Sequence, residues 1–130
     1  MDDLVEWLRA QLDEDARIAR AILWPGSGNK LDWELVASAT IDFGEDEVYV
    51  GDRTIANHVM AHTPARVLRE VAAKRKLLDR WSELQRRIEA ETDEAKRGNL
   101  ALTRHGLDMF VYQLGTVYAD RPGYREEWRP

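Results

Sequence analysis

The amino-acid sequence predicts an α+β fold that is mainly helical, and three patterns carry that prediction. Apolar residues recur at the 3.6-residue period of an amphipathic helix over 1–23 and again over 99–118. The stretch 63–97 contains no glycine, and its one proline lies in its first turn. Only the region 31–51 carries short runs rich in Trp, Val, Ile and Tyr, which are typical of strands. We therefore expect helices around one small sheet.

Composition narrows the classes of protein that the chain can belong to. Its 130 residues suit one domain, 1–130, with a substantial core. The chain contains no cysteine, which excludes a disulfide framework, a thiol nucleophile and a cysteine zinc site. No apolar run approaches the ~18–20 residues that a membrane span needs, and the acidic N-terminus does not resemble a signal peptide. We expect a cytoplasmic protein with no membrane partner.

The N-terminal half is predicted to contain a helix, a hairpin and a second, short helix. The first helix, 1–23, ends at the loop WPGSGNK, because Pro25 and the Gly/Ser/Asn cluster do not continue a helix. A β-hairpin over 31–51 follows, with the acidic, glycine-containing stretch DFGEDE as its turn. A lone hairpin is marginally stable, so its apolar face must pack on helices. A short helix is predicted over 54–62.

A long helical hairpin is predicted to follow. Its first helix, 63–97, has a clear start signal, with Thr63 as the N-cap and Pro64 in the first turn. Gly98 is interpreted as the residue that ends this helix, and 99–118 as the antiparallel second helix. The residues of the second helix expected to face the core are Leu107, Phe110, Val111, Leu114 and Tyr118.

The C-terminal tail, 119–130, belongs to the run YADRPGYREEWRP. Tyr124 and Trp128 are four residues apart, so on one further turn of helix they share a face. A single turn is not stable alone in water, so both rings must dock on the domain or on a neighbouring subunit. The candidate docking and interface residues are Trp81, Tyr118, Tyr124 and Trp128.

Three blocks of the sequence resemble a family of small uncharacterised proteins of streptomycetes, other actinobacteria and their phages. The blocks are MDDLVEWLRAQLDEDARIARA, HVMAHTPARVLREVAAKRKLL and YADRPGYREEWRP, which together cover roughly half of the chain. The last block is the most specific. The resemblance implies a phage or prophage accessory gene in a high-GC host. The family carries no assigned activity, so no functional residue is transferred from it.

His58 and His62 are the candidate metal ligands, because on a helix a four-residue spacing places them on one face. The spacing is that of the HExxH zinc motif, but Val59 stands where that motif has its glutamate. Spacing places no third ligand beside them. Structural roles at a helix end and before the Thr63 cap are therefore the favoured interpretation, and no metal or cofactor is predicted.

The helix over 63–97 carries ten Lys or Arg against seven Asp or Glu. Five basic residues recur at three-, four- and seven-residue steps, as a track for phosphates would. They are Arg66, Arg69, Lys76, Arg80 and Arg87. Glu70, Asp79 and Glu83 interleave with them, so a solvated, salt-bridged helix face is favoured over nucleic-acid binding.

No other motif supplies a catalytic set. DFGEDE lacks the residue order of an EF-hand loop, and WPGSGNK holds Gly-x-Gly-x-Lys without a preceding strand or the P-loop spacing. Ser, His and Asp are not arranged as a nucleophile elbow. The sequence leans away from an enzyme, and no catalytic residue is assigned.

A protein-binding role is the remaining interpretation. The chain contains five tryptophans alongside many arginines, and these residue types dominate protein interfaces. We expect a small phage- or prophage-type accessory protein in the host cytoplasm that binds a protein partner and self-associates as a homo-oligomer. The alternative is a nucleic-acid-binding or metal-dependent protein that uses the basic helix face and His58 with His62.

Overall fold

The computed structural model describes residues 1–130 and confirms the α+β, mainly helical class. Its elements are α1 Asp2–Ala21, β1 Glu34–Ala37, β2 Thr40–Asp42, β3 Glu47–Tyr49, α2 Arg53–Met60, α3 Pro64–Ala90, α4 Glu94–Val117 and a 3₁₀ turn Glu126–Trp128. None of the helices combines the length and apolarity needed to cross a bilayer. Contacts divide the chain into a first unit, Met1–Leu12 with Ala73–Pro130, and a second unit, Asp13–Ala72. The single-domain interpretation of 1–130 stays a prediction.

The starts of α2 and α3 follow from side chains that accept hydrogen bonds from the free amides of a helix N-terminus. The Asp52 carboxylate accepts from the amides of Thr54 at 2.7 Å and Ile55 at 3.2 Å, and so caps α2. The Thr63 hydroxyl oxygen accepts from the Arg66 amide at 3.3 Å. Pro64 is then the first residue of α3, as the sequence predicts.

The predicted helix 63–97 is wrong at its C-terminal end, because α3 ends at Ala90. The predicted boundary at Gly98 is wrong as well, since Gly98 lies inside α4, which begins at Glu94. The prediction relied on glycine and proline as the residues that end a helix, and the break contains neither.

A carboxylate and a guanidinium group make this break instead. The Asp93 carboxylate accepts from the Lys96 amide at 3.0 Å and caps α4. The Arg97 guanidinium donates to the carbonyl of Glu91 at 2.6 Å and satisfies an acceptor just beyond the end of α3. Aspartate is among the strongest N-cap residues, so it can start a new helix without a glycine before it.

In the first unit, α3 and α4 form the predicted antiparallel hairpin. The Trp81 indole N–H donates to the Asp108 carboxylate at 2.7 Å, and the Lys74 ammonium donates to the Tyr118 hydroxyl at 3.3 Å. Trp81 comes after Lys74 in the chain, whereas its partner Asp108 comes before Tyr118. The two helices therefore run antiparallel. The largest fully buried side chains of this unit are Leu4, Leu8, Leu12, Leu78, Leu84 and Val111.

The C-terminal tail docks on α1 within the first unit, as predicted. The Trp7 indole N–H donates to the Pro122 carbonyl at 3.1 Å. The Trp7 ring centroid lies 5.7 Å from that of Tyr124 and 5.5 Å from that of Trp128, which is buried. Aromatic pairs at such separations contribute about 0.5–1.5 kcal/mol each beyond their buried area. A 3₁₀ turn that would not persist alone is therefore held by packing.

Two arginines strengthen this docking. The Arg121 guanidinium lies 4.7 Å from the centroid of the buried Tyr118 ring. Arg125 lies 5.1 Å from the Trp128 ring and pairs with Asp3 at 3.2 Å. Cation–π contacts of this kind contribute about 0.5–1 kcal/mol at exposed sites.

The second unit contains a three-stranded antiparallel sheet in the order β1-β2-β3, where the prediction placed a two-stranded hairpin over 31–51. Ile41 of the central strand pairs with Leu35 on one side and Val48 on the other, and it is buried. The two-strand prediction is wrong because Ser38 and Ala39 form a tight turn. Neither residue is among the glycine, proline and asparagine signals that punctuate a strand.

The loop WPGSGNK packs on the turn DFGEDE within the second unit. The Lys30 amide donates to the Phe43 carbonyl at 2.8 Å, and the Lys30 ammonium lies 3.3 Å from the Asp42 carboxylate. Gly44 has a φ of +108°, and a Cβ there would lie 2.5 Å from the Gly28 carbonyl oxygen. The lysine of the Gly-x-Gly-x-Lys sequence thus pairs with a carboxylate of its own chain, which accounts for the motif by packing.

Gly123→Ala is expected to loosen the docked tail. Gly123 has a φ of +89°, and a Cβ there would lie 2.8 Å from the Trp7 indole nitrogen, so alanine strains the backbone and displaces the indole. We expect a loss of about 1–3 kcal/mol in the free energy of unfolding, measured by urea denaturation. Gly98→Ala is the matched control. A Cβ at Gly98 meets nothing within 4 Å, so this variant should gain about 0.5–1 kcal/mol. Equal urea midpoints for wild type and Gly123→Ala would contradict the docked tail.

Acid should weaken the contact between the loop and the turn. The Gly44 amide donates to the Asp42 carboxylate at 2.8 Å, and this bond, with Lys30 beside it, holds the pKa of Asp42 below its ordinary value. Because the folded-state pKa is the lower one, the stabilisation is fully present above the unfolded-state value near pH 4 and is lost as the pH falls through the folded-state value. Thermal unfolding between about pH 2 and about pH 6 should therefore show a steeper loss for wild type than for Asp42→Asn. Parallel curves for the two proteins would show that the contact does not depend on the charge.

Candidate functional site

One face of α4 is both apolar and exposed. Four large side chains on it keep more than half of their surface in water: Leu102 (72%), Met109 (55%), Phe110 (63%) and Val117 (62%). Seven-residue steps relate Leu102 to Met109 and Phe110 to Val117, so all four lie on one side of the helix. A single exposed apolar residue is ordinary, whereas a continuous set along one helix face indicates a contact surface.

This face, which we call the α4 stripe, contains no charged residue although 33% of the chain is charged. Its members are all exposed: Ala95, Asn99, Leu102, Gly106, Met109, Phe110, Gln113 and Val117. Depletion of charge, with aromatic residues and methionine enriched, is the composition of the core of a protein interface.

The opposite face of α4 packs inside the first unit. Val111 and Leu114 are buried there, and the half-buried Asp108 accepts the hydrogen bond from α3 described above. Gly115 is buried on the same face, and a Cβ on it would lie 3.3 Å from a methyl carbon of Leu4. The helix therefore has one apolar face that its own unit covers and a second that its own unit leaves open.

The prediction that Phe110 faces the core is wrong. Of the five residues expected to do so, Val111, Leu114 and Tyr118 are buried and Leu107 is half-buried, while Phe110 turns outward. Phe110 lies on the same face of α4 as Leu102, Met109 and Val117, and not on the face that carries the core residues. A helix that is apolar on two faces is expected to be covered on both, and this signal was readable in the sequence.

Gly106 lies at the centre of the α4 stripe and has no role within the chain. A glycine inside a helix costs about 1 kcal/mol relative to alanine. At Gly115 the packing against Leu4 leaves little room for a side chain, but at Gly106 a Cβ would meet nothing within 4 Å. The φ of Gly106 is not positive either, so its backbone conformation does not demand glycine.

The four predicted docking residues all contact groups of their own chain, inside the first unit. Trp81 bonds to Asp108, Tyr118 lies beside Lys74, and Tyr124 and Trp128 pack on α1 as described. Their use as contacts for another molecule stays a prediction.

The two histidines lie together in the second unit. The ring centroids of His58 and His62 are 4.8 Å apart, and both side chains are exposed. No group of three or more His, Cys, Asp or Glu side chains is arranged to hold a metal ion. The structure thus brings the predicted pair together without the third ligand that a stable site needs.

A cleft of about 280 Å³ also lies in the second unit. It is lined by Asp15, Ile18, Ala19, Ile22, Trp33, His62, Pro64 and Val67. The Trp33 indole N–H is buried and has no hydrogen-bond acceptor. Sequence reasoning missed this cleft because its lining comes from three separate segments, and no motif joins them.

The basic residues of α3 are partly neutralised by acids of the same helix. Arg66 pairs with Glu70 at 3.1 Å, and Arg80 pairs with Glu83 at 3.2 Å. Exposed ion pairs of this kind contribute about 0–1 kcal/mol to stability. They favour the interpretation as a salt-bridged face.

Comparison with known proteins identifies a family without identifying an activity. A family model described as a family of unknown function, DUF6221, matches residues 1–130. No curated protein and no solved structure matches the chain.

Matched leucine substitutions test whether the α4 stripe contributes to the stability of the fold. Leu84→Ala, at a position that is 1% exposed, should lower the free energy of unfolding by about 2–5 kcal/mol. Leu102→Ala makes the same chemical change on the stripe and should stay within about 0.5 kcal/mol of wild type in dilute solution. Urea unfolding measures both. A large loss for Leu102→Ala in dilute solution would show that the stripe is part of the core.

Proposed function

We propose that this chain, which belongs to the DUF6221 family of unknown function, acts by binding another protein through the α4 stripe rather than by catalysing a reaction. The observation that carries the proposal is the exposed, charge-free apolar face of α4. The backbone of a helix satisfies its own hydrogen bonds, so a partner need offer only a complementary apolar surface. This is how helices dock in hydrophobic grooves or on other helices.

The size of the stripe sets the strength of such binding. Four side chains that are about 55–72% exposed leave on the order of 500 Å² of apolar surface in water, taking about 200 Å² for a fully exposed large side chain. At about 25 cal/mol per Å², burying it contributes on the order of 12 kcal/mol before the costs of association. Those costs are about 4–15 kcal/mol, so we expect a dissociation constant of about micromolar or weaker from the stripe alone.

The context proposed for this binding is that of a phage or prophage accessory protein in the cytoplasm of an actinobacterial host. Support comes from the resemblance of the three sequence blocks, above all of the tail YADRPGYREEWRP. The aromatic residues of the tail pack on Trp7 of their own chain. We therefore attribute the shared tail sequence to a role in folding rather than to a free recognition peptide.

Phe110→Glu should abolish the binding of a protein partner without unfolding the chain. A carboxylate within the stripe would have to be buried in the interface without a counter-ion, which is costly in free energy. Proteins captured from an actinobacterial lysate would be purified and titrated against each variant. We expect Phe110→Glu to weaken binding at least about 30-fold, the effect of an interface hot spot.

The matched control is Ile55→Glu, which introduces the same charge at an apolar residue that is 54% exposed on α2. Its affinity for the purified partner should equal that of wild type. A partner that binds Phe110→Glu and Ile55→Glu equally well would show that the stripe is not the binding surface.

A further inference from the structure

Within the proposed function, we infer that the partner of the α4 stripe is a second copy of this chain. The two α4 helices would lie antiparallel and cross at Gly106. This inference rests on the proposed function, because it names the occupant of the same surface. Four properties of the stripe support it.

The first property is the unexplained glycine. Nothing within the chain requires Gly106 to lack a side chain. A glycine on a helix surface lets another backbone approach closely. At a crossing point of two identical helices, the residue on the two-fold axis meets its own copy, and a small residue there allows the closest approach.

The second property is the symmetry of the stripe about Gly106. Leu102 and Phe110 lie four residues to either side of it, and Asn99 and Gln113 lie seven residues to either side. An antiparallel pair that crosses at Gly106 therefore places Leu102 against Phe110 of the second copy. It also places each Asn99 against the second copy's Gln113. Large apolar groups meet large apolar groups, and amides meet amides that can donate and accept in both directions.

The third property is electrostatic. The chain carries a net charge of −5, so two copies repel each other at long range. The stripe contributes no like charge to the contact. Antiparallel packing also sets the positive amide end of each α4, whose first turn holds both Glu94 and Lys96, beside the negative carbonyl end of the other.

The fourth property is area. Two copies that each bury on the order of 500 Å² would remove about 1,000 Å² in total, which is near the lower limit of specific interfaces. We therefore expect a reversible, concentration-dependent dimer with a dissociation constant of about micromolar or weaker.

Cysteine cross-linking tests this arrangement, because the chain has no cysteine of its own. Leu102→Cys and Phe110→Cys would be prepared separately and mixed under mild oxidation. A disulfide needs Cα atoms about 4.4–6.8 Å apart, and only the mixed pair, 102 with 110, meets across the crossing. Like positions lie eight residues apart along the axis, about 12 Å, so neither variant alone should cross-link.

A second mixture, Asn99→Cys with Gln113→Cys, should also cross-link. It keeps the Leu102 and Phe110 side chains, whose removal in the first mixture could itself weaken the dimer.

Sedimentation of the cysteine-free wild type should show a dimer that Phe110→Glu weakens about 30-fold or more and Ile55→Glu leaves unchanged. Cross-linking of either single variant with itself would indicate a parallel pair and overturn the inference. So would a wild type that stays monomeric throughout the concentration series, or a dimer that Phe110→Glu leaves intact.

Failure of this inference is distinguishable from failure of the proposed function. If the chain is monomeric but a purified partner loses affinity for Phe110→Glu, the stripe binds a different protein and only the inference fails. If Phe110→Glu changes neither self-association nor the binding of any partner, both fail.

Discussion

The break between α3 and α4 at Glu91–Asp93 is the constraint on which the first unit depends. The Asp93 cap and the Arg97 guanidinium end one helix and start the next within three residues. This short connection sets the register of the hairpin, in which Trp81 meets Asp108. A hydrogen bond to a charged group contributes about 1.5–3 kcal/mol, so the register is firmly held. Once the register is set, the direction in which each remaining side chain of α4 points is determined. The α4 stripe is a consequence of that register.

Trp7 holds the C-terminal tail against α1 in the first unit. One indole ring contacts the Pro122 carbonyl, the Tyr124 ring and the Trp128 ring, and so joins the start of α1 to the tail. The tail contains only a 3₁₀ turn, which cannot hold its own shape in water. Its aromatic residues therefore serve packing within the chain, and the exposed apolar residues of the α4 stripe form the surface proposed for contact with another protein. Aromatic content alone did not separate these two uses.

The second unit is held together in a different way. Its buried apolar residues are mostly small: Ala16, Ala19, Ala39 and Ala56 accompany Ile41 and Val71. Small side chains bury little area, so each contributes less to stability than the leucines of the first unit do. A backbone hydrogen bond from Lys30 to Phe43, with the close approach of Gly44 to Gly28, joins the loop WPGSGNK to the turn DFGEDE in this unit. The sequence that resembled part of a nucleotide loop is thus a structural element.

The sequence by itself determined the features that depend on residues within about four positions of each other. The caps at Asp52 and Thr63, the helical periods and the pairing of Tyr124 with Trp128 are of this kind, because their hydrogen bonds and contacts are local. The mainly helical class and the docked tail follow from them. The break at Asp93 was also encoded locally, but in a capping residue rather than in the glycine that was used as the signal.

Only the tertiary structure decided which face of α4 is buried. Both faces are apolar, so either could face a core, and the free energy of packing against α1 and α3 selects between them. That selection turned Phe110 outward and left Gly106 at the centre of an open surface. Contacts between distant segments carry this information, and no short stretch of sequence contains it.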